Sequence, residues 1–150
     1  MNGEKLFLDI LFLKNKSLHS KMPRIVLKDI ETYNSIKTKN EESVNQYEFE
    51  LINFIKTRSP DYFGNFKNTI ESGDHFKIKK VLIEGGTLYE NYIQSLGRES
   101  LTNENGLVIN FAGIVTDPVI FICFILPFPS PYLNEGFTLD YYVDLIVSNY

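Results

Sequence analysis

Between Tyr47 and Leu96, apolar side chains recur at three- and four-residue steps, and two short interruptions, Ser59-Pro60 and Gly73-Asp74, divide the run. That recurrence places apolar groups on one face of a helix, so the block reads as three helices burying their faces together. The first carries Val44, Tyr47, Leu51, Phe54 and Ile55 as its stripe and runs to Thr57. Asn40 is positioned as its N-cap, Glu41 and Glu42 favour the positive end of its dipole, and Lys56 and Arg58 favour the negative end. Ser59 is expected to cap the second helix, with Pro60 in the first position, where a missing N–H costs nothing. Phe63, Phe66 and Ile70 face inward, and Gly73 suits a left-handed terminus. Asp74 caps the third helix, whose stripe is Ile78, Val81, Leu82, Gly85, Leu88, Tyr89, Tyr92 and Leu96. Glycines inside a helix cost about 1 kcal/mol each relative to alanine. Gly85, beside Gly86, therefore marks either the close approach of a neighbouring helix or a break.

Upstream of this block the pattern is less even. Asn2 can cap a first helix with Glu4 in its opening turn. Leu6, Phe7, Leu8, Ile10, Leu11, Phe12 and Leu13 make that helix apolar nearly all round, which predicts a buried central position; the alternative is contact with a partner or a membrane surface. It is too short to span a bilayer. Lys14 to Lys21 reads as a polar loop. Arg24 to Thr38 reads as a helix through Val26, Ile30 and Tyr33, against β-branched Ile25, Val26 and Ile36, which favour a strand.

Charge then divides the chain. All 15 Lys and Arg residues lie at or before Arg98, alongside 13 of the 19 acidic residues, and only six acidic residues follow. The change predicts a helical domain over 1–98, a polar linker over 99–106 and an apolar, acidic region over 107–150. Phosphate binding needs Lys and Arg, so the C-terminal region is excluded as a nucleic-acid surface. Its first twenty residues, Leu107 to Leu126, contain Asp117 as the one formal charge. Thirteen of them, Leu107, Val108, Ile109, Phe111, Ile114, Val115, Val119, Ile120, Phe121, Ile122, Phe124, Ile125 and Leu126, contribute roughly −4 to −8 kcal/mol toward membrane insertion. Asp117 takes back about 2.5–3.5 kcal/mol, and Asn110 and Pro118 erode the rest. A hairpin turning at Thr116-Asp117-Pro118, with α or β arms, fits better than a single span. Pro127, Pro129 and Pro131 exclude regular structure beyond it. Thr138 can cap a last helix with Leu139, Tyr142, Val143 and Ile146 on one face.

Residues with reactive side chains do not assemble into a catalytic pattern. His75 beside Asp74 could serve as a base at a helix N-terminus, but the position equally suits an exposed first-turn residue. His19 sits in a Lys- and Ser-rich loop, and two distant histidines have no metal-ligand spacing. Cys123 is the single cysteine, so the chain has no internal disulfide and no cysteine cluster for a metal. No cofactor motif is present.

A family resemblance follows from particular residues. It rests on Gly3-Glu4-Lys5-Leu6-Phe7 with Ile10-Leu11-Phe12, then Phe54-Ile55-Lys56, Ser59-Pro60-Asp61-Tyr62-Phe63, Phe66-Lys67, Ile70, Ser72-Gly73-Asp74-His75, Lys77-Ile78 and Lys80. In this order they resemble the precursors of the sporulation-delaying killing factor, the SdpC type of bacterial toxin. The resemblance covers roughly residues 3 to 96. It implies a non-enzymatic, secreted toxin precursor whose apolar C-terminal segment acts on the target-cell membrane, with a cognate immunity protein as a further partner. This sequence differs from the family pattern in three respects: no secretory leader opens it, Leu13-Lys14-Asn15-Lys16 replaces a glycine-containing tract, and Cys123 is unpaired. The expected location is accordingly secreted if a leader precedes this chain, and cytoplasmic otherwise.

The expected fold is mainly α: a helical, bundle-like domain with the apolar C-terminal hairpin region packed on it. Two other functions compete with the toxin. One is a soluble interaction or immunity module in which Leu107 to Leu126 is ordinary core; the other is a hydrolase using His75.

Overall fold

The computed structural model describes residues 1–96, 102–103, 106–107 and 133–150. It is mainly helical, and most helix ends follow from capping chemistry. Asn2 accepts a hydrogen bond from the Lys5 backbone N–H at 2.8 Å and opens α1, Gly3–Leu11. The buried position expected for this helix is the one found: Leu6, Phe7, Ile10 and Leu11 are buried, as are Phe12 and Leu13 beyond its end. Leu13 leaves the helix with φ of 50°, a left-handed conformation uncommon for a branched residue. Its side chain is 1% exposed, so burial holds it there.

The expected polar loop after α1 is instead a 3-10 helix, Lys16–Lys21. Asn15 caps it by accepting from Ser17 N–H, and Leu18 becomes fully buried. So short a turn has no apolar periodicity to read; a cap and one leucine are its whole signal. The ambiguous stretch after Pro23 is helical: α2 spans Arg24–Lys39, with Val26, Ile30 and Tyr33 buried. Packing of that face outweighs the β-branched residues.

Helix α3, Glu41–Arg58, buries Val44, Tyr47, Leu51, Ile52 and Ile55 and half-buries Phe54. Asn40 occupies its N-cap position without making the side-chain capping bond. The boundary at Ser59-Pro60 differs from expectation. Ser59 terminates α3, its N–H donating to Ile55 O at 2.7 Å, and Pro60-Asp61 forms a turn. Helix α4 therefore begins two residues later, at Tyr62–Ser72, because the turn lets Tyr62 and Phe63 swing into the core. Gly73 ends it in the left-handed region at φ 69°, and Asp74 caps α5, His75–Ser95, by accepting from Lys77 N–H at 3.0 Å. Thr102–Asn103 and Gly106–Leu107 form a minimal antiparallel pair, β1 and β2. The last helix, α6, spans Leu139–Asn149 and is capped by Thr138, which accepts from Tyr141 N–H.

Phe7 is the point where α1, α4 and α5 meet. Its ring is fully buried with Tyr62, Phe63 and Phe66 around it at centroid distances of 5.9, 5.3 and 5.5 Å, each edge-on. Such contacts are worth about 0.5–1.5 kcal/mol each beyond burial. The helices can close on this ring because of two glycines. A Cβ at Gly85 would lie 2.5 Å from Tyr62 Oη and 3.2 Å from the Phe7 ring, so the glycine serves close approach, and α5 continues unbroken through it. Tyr62 in turn donates to Val81 O at 2.8 Å, satisfying a hydroxyl that burial would otherwise strand.

At Gly3 a Cβ would stand 2.1 Å from the Phe63 carbonyl oxygen. Backbone cannot yield there without separating α1 from α4. Gly3→Ala should therefore cost about 1–3 kcal/mol in urea unfolding. Gly64→Ala, with open space around its Cβ inside α4, should raise stability by up to about 1 kcal/mol. Equal effects at the two positions would contradict the close docking of α1 on α4.

Candidate functional site

The residues expected to act on membranes begin at Leu107, whose backbone pairs with Thr102 at the end of β2. From Val108 to Leu126, and with them the hairpin turn at Thr116-Asp117-Pro118 and Cys123, they lie outside the described residues. Described helices lie before and after this segment in the chain. Upstream stands α5, with Leu96 N–H donating to Ile93 O at 3.1 Å as the helix closes.

Downstream stands α6, which is part of the same core as α1. Phe137, Tyr142 and Ile146 are fully buried, with Val143 and Leu145 beside them. Phe137 and Tyr142 stack at a tilt with centroids 5.6 Å apart. The Tyr142 hydroxyl donates to the carbonyl of Ile10, at the end of α1. Tyr141 donates to Lys21 O at 2.6 Å, and Asn15 donates through Nδ2 to the Tyr150 hydroxyl at 2.8 Å. Two polar contacts join α6 to α5: the Lys79–Asp140 ion pair at 2.7 Å and the approach of His75 Nε2 to Asp144 Oδ1 at 3.0 Å.

His75 is thereby given a partner other than the neighbouring Asp74, which is spent on capping α5. Both members of the His75–Asp144 pair are more than half exposed and open to water. His19 Nε2 lies 2.8 Å from the Leu13 carbonyl oxygen, where its N–H holds the turn after α1. Among the described residues, no group of His, Cys, Asp and Glu side chains could hold a metal, and no helix is long and apolar enough to cross a membrane. A shallow groove between α1 and α3, lined by Lys5, Leu8, Phe49 and Ile52 among others, opens to solvent.

Glu48 was not singled out by sequence reasoning, although its position on α3 lies within the apolar stripe, four residues after Val44. It is 9% exposed. Lys14 Nζ approaches its Oε1 at 2.6 Å, Tyr33 donates to the same oxygen at 3.2 Å, and Lys37 stands 3.9 Å away. Burial lowers the Lys14 pKa below its ordinary value, opposed by the Glu48 charge, while burial and then Glu48 raise that of Tyr33. The cluster fastens the turn after α1, and α2, onto α3. Its groups satisfy one another, and Glu48 also borders the groove between α1 and α3.

Residues 1–117 match the family described as sporulation delaying protein family toxin. The chain belongs to that family and is a toxin precursor of the sporulation-delaying type. Comparison with curated proteins and with solved structures found no match.

Two measurements check these roles. His75→Ala should change stability by less than about 1 kcal/mol, because exposed ion pairs contribute little, and should leave toxin activity intact; loss of activity in a stable variant would restore His75 as a chemical group. The second is alkaline unfolding. Burial raises the pKa values of Tyr62 and Tyr142 well above the ordinary 10.0. Groups raised in the fold stabilise it fully below the unfolded value and lose that contribution as pH climbs past it. Stability should thus fall above about pH 10, each of these two tyrosines steepening the slope by about 1.4 kcal/mol per pH unit. Lys14, lowered in the fold, works in the opposite sense as pH rises toward 10.5. Urea titrations on both sides of pH 10 should show the fall, and a flat profile would contradict it.

Proposed function

We propose that this chain is the precursor of a secreted, non-enzymatic toxin that acts on the membranes of target cells through Leu107 to Leu126, with a cognate immunity protein as its natural antagonist. The observation that carries the proposal is the composition of that segment, twenty residues with Asp117 as their one formal charge, in a chain that belongs to a toxin family. The described histidines and buried carboxylate support a non-enzymatic role, since each is engaged in holding helices together. Toxicity in this reading comes from physical partition: apolar arms leave water for lipid, and the charge at Asp117 limits how deeply they enter.

The test uses a peptide spanning Leu107 to Tyr150 and dye-loaded vesicles. It should partition into lipid and cause leakage, and Asp117→Leu should strengthen partition by removing a cost of about 2.5–3.5 kcal/mol. No leakage together with no lipid partition would sink the proposal.

A further inference from the structure

Large apolar side chains stand in water at two places on the helical body, and the charges around them are opposite in sign. The first place is the groove between α1 and α3. Leu8 and Ile52 line it, Phe49 stands beside them 62% exposed, and Glu48 borders it. Asn45 joins this groove to an open hollow lined by Glu41, Glu42 and Gln46. From Glu41 to Ile52 the chain has four glutamates and no Lys or Arg. On the α1 side, Glu4 and Lys5 are already paired, with Lys56 and Asp9 respectively.

The second place is the outer face of α5 near its start. Phe76 is 71% exposed and Ile83 46% exposed, and their spacing puts them on one face of the helix. Lys80 lies between them, its Nζ 5.6 Å from the centre of the Phe76 ring. From Phe76 to Ile83 the chain has three lysines and no acid. Lys79 is held by Asp140, whereas Lys77 comes only within 3.9 Å of Asp74, which is capping the helix.

We propose that these two surfaces bind one another between copies of the chain, the α5 face of one molecule lying in the α1–α3 groove of the next. Asn45 to Ile52 and Phe76 to Ile83 each cover the same number of helical steps, about 10 Å at 1.5 Å per residue, so their lengths match. Phe76 and Ile83 leave water against Leu8, Phe49 and Ile52, while Lys77 and Lys80 meet Glu41 and Glu42. This is an amphipathic helix read by a groove through side chains about one and two turns apart. Like charges oppose groove-to-groove and face-to-face pairing, so the contact is head-to-tail. Each added copy leaves one groove and one face open, and the assembly grows beyond a dimer. So short a face buries little area, which makes the association weak and reversible. None of this depends on how the chain acts on membranes.

The test is sedimentation equilibrium on the full chain at low salt. The average mass should keep rising with concentration up to about 200 μM, without levelling at a dimer. Phe49→Asp spoils the groove and Phe76→Asp spoils the face; both positions are exposed, so helical circular dichroism should not change. Each variant alone should associate about tenfold or more weakly than the wild type. Mixed, the two should form a closed one-to-one dimer, because the intact face of one meets the intact groove of the other. Reversing charge by Glu41→Lys with Glu42→Lys should weaken association, and adding Lys77→Glu with Lys80→Glu to the same chain should restore it to within about threefold. A wild-type chain that stays monomeric would overturn the proposal, as would association that survives both Asp variants. A mixture of the two variants that remains monomeric would overturn it as well.

Discussion

A nine-residue helix is not stable alone in water, since nucleation costs more than so few hydrogen bonds return. Yet α1 is the element on which α4, α5 and α6 converge. Its stability is borrowed entirely from tertiary contact: Phe7 inside a ring of Tyr62, Phe63 and Phe66, Gly3 against the Phe63 carbonyl, and Ile10 receiving the Tyr142 hydroxyl. An apolar surface on nearly every side, which would be a liability on a peripheral helix, suits one enclosed by its neighbours.

That arrangement bears on how one chain can contain a folded body and a long, nearly uncharged apolar stretch. α1 at the centre and α6 at one side pack with the apolar stripes of the other described helices in one core. Polar groups buried in the process meet partners from other elements. Glu48 meets Lys14, Tyr33 and Lys37, and Tyr62 meets Val81 O. Each pairing avoids the cost of an orphaned buried group.

Caps and glycines were legible because they act locally. Asn2, Gly73, Asp74 and Thr138 perform the roles their positions suggest, each within a turn of its partner. Gly85 was legible as a choice between close approach and a break; Tyr62 and Phe7 decide it. Ser59-Pro60 was legible as a boundary but not in register, since Pro60 fits a turn as well as a first helical position, and the burial of Tyr62 selects the turn. Glu48 could have been noticed as a charge inside an apolar stripe, but its three partners lie 11 to 34 residues away and no local pattern names them.

The sequence by itself determined that this protein is helical, where most helices start and stop, and that twenty nearly uncharged residues follow a body holding all its basic charge. These are properties of neighbours along the chain, set by hydrogen bonding within a turn and by the period of one helix. Only the tertiary structure decided that α1 is the hub and that α6, on the acidic side of the charge boundary, is seated against it. Contacts such as Tyr142 with Ile10 depend on which surfaces fit when all are buried together, and that selection has no signature in any short stretch of residues.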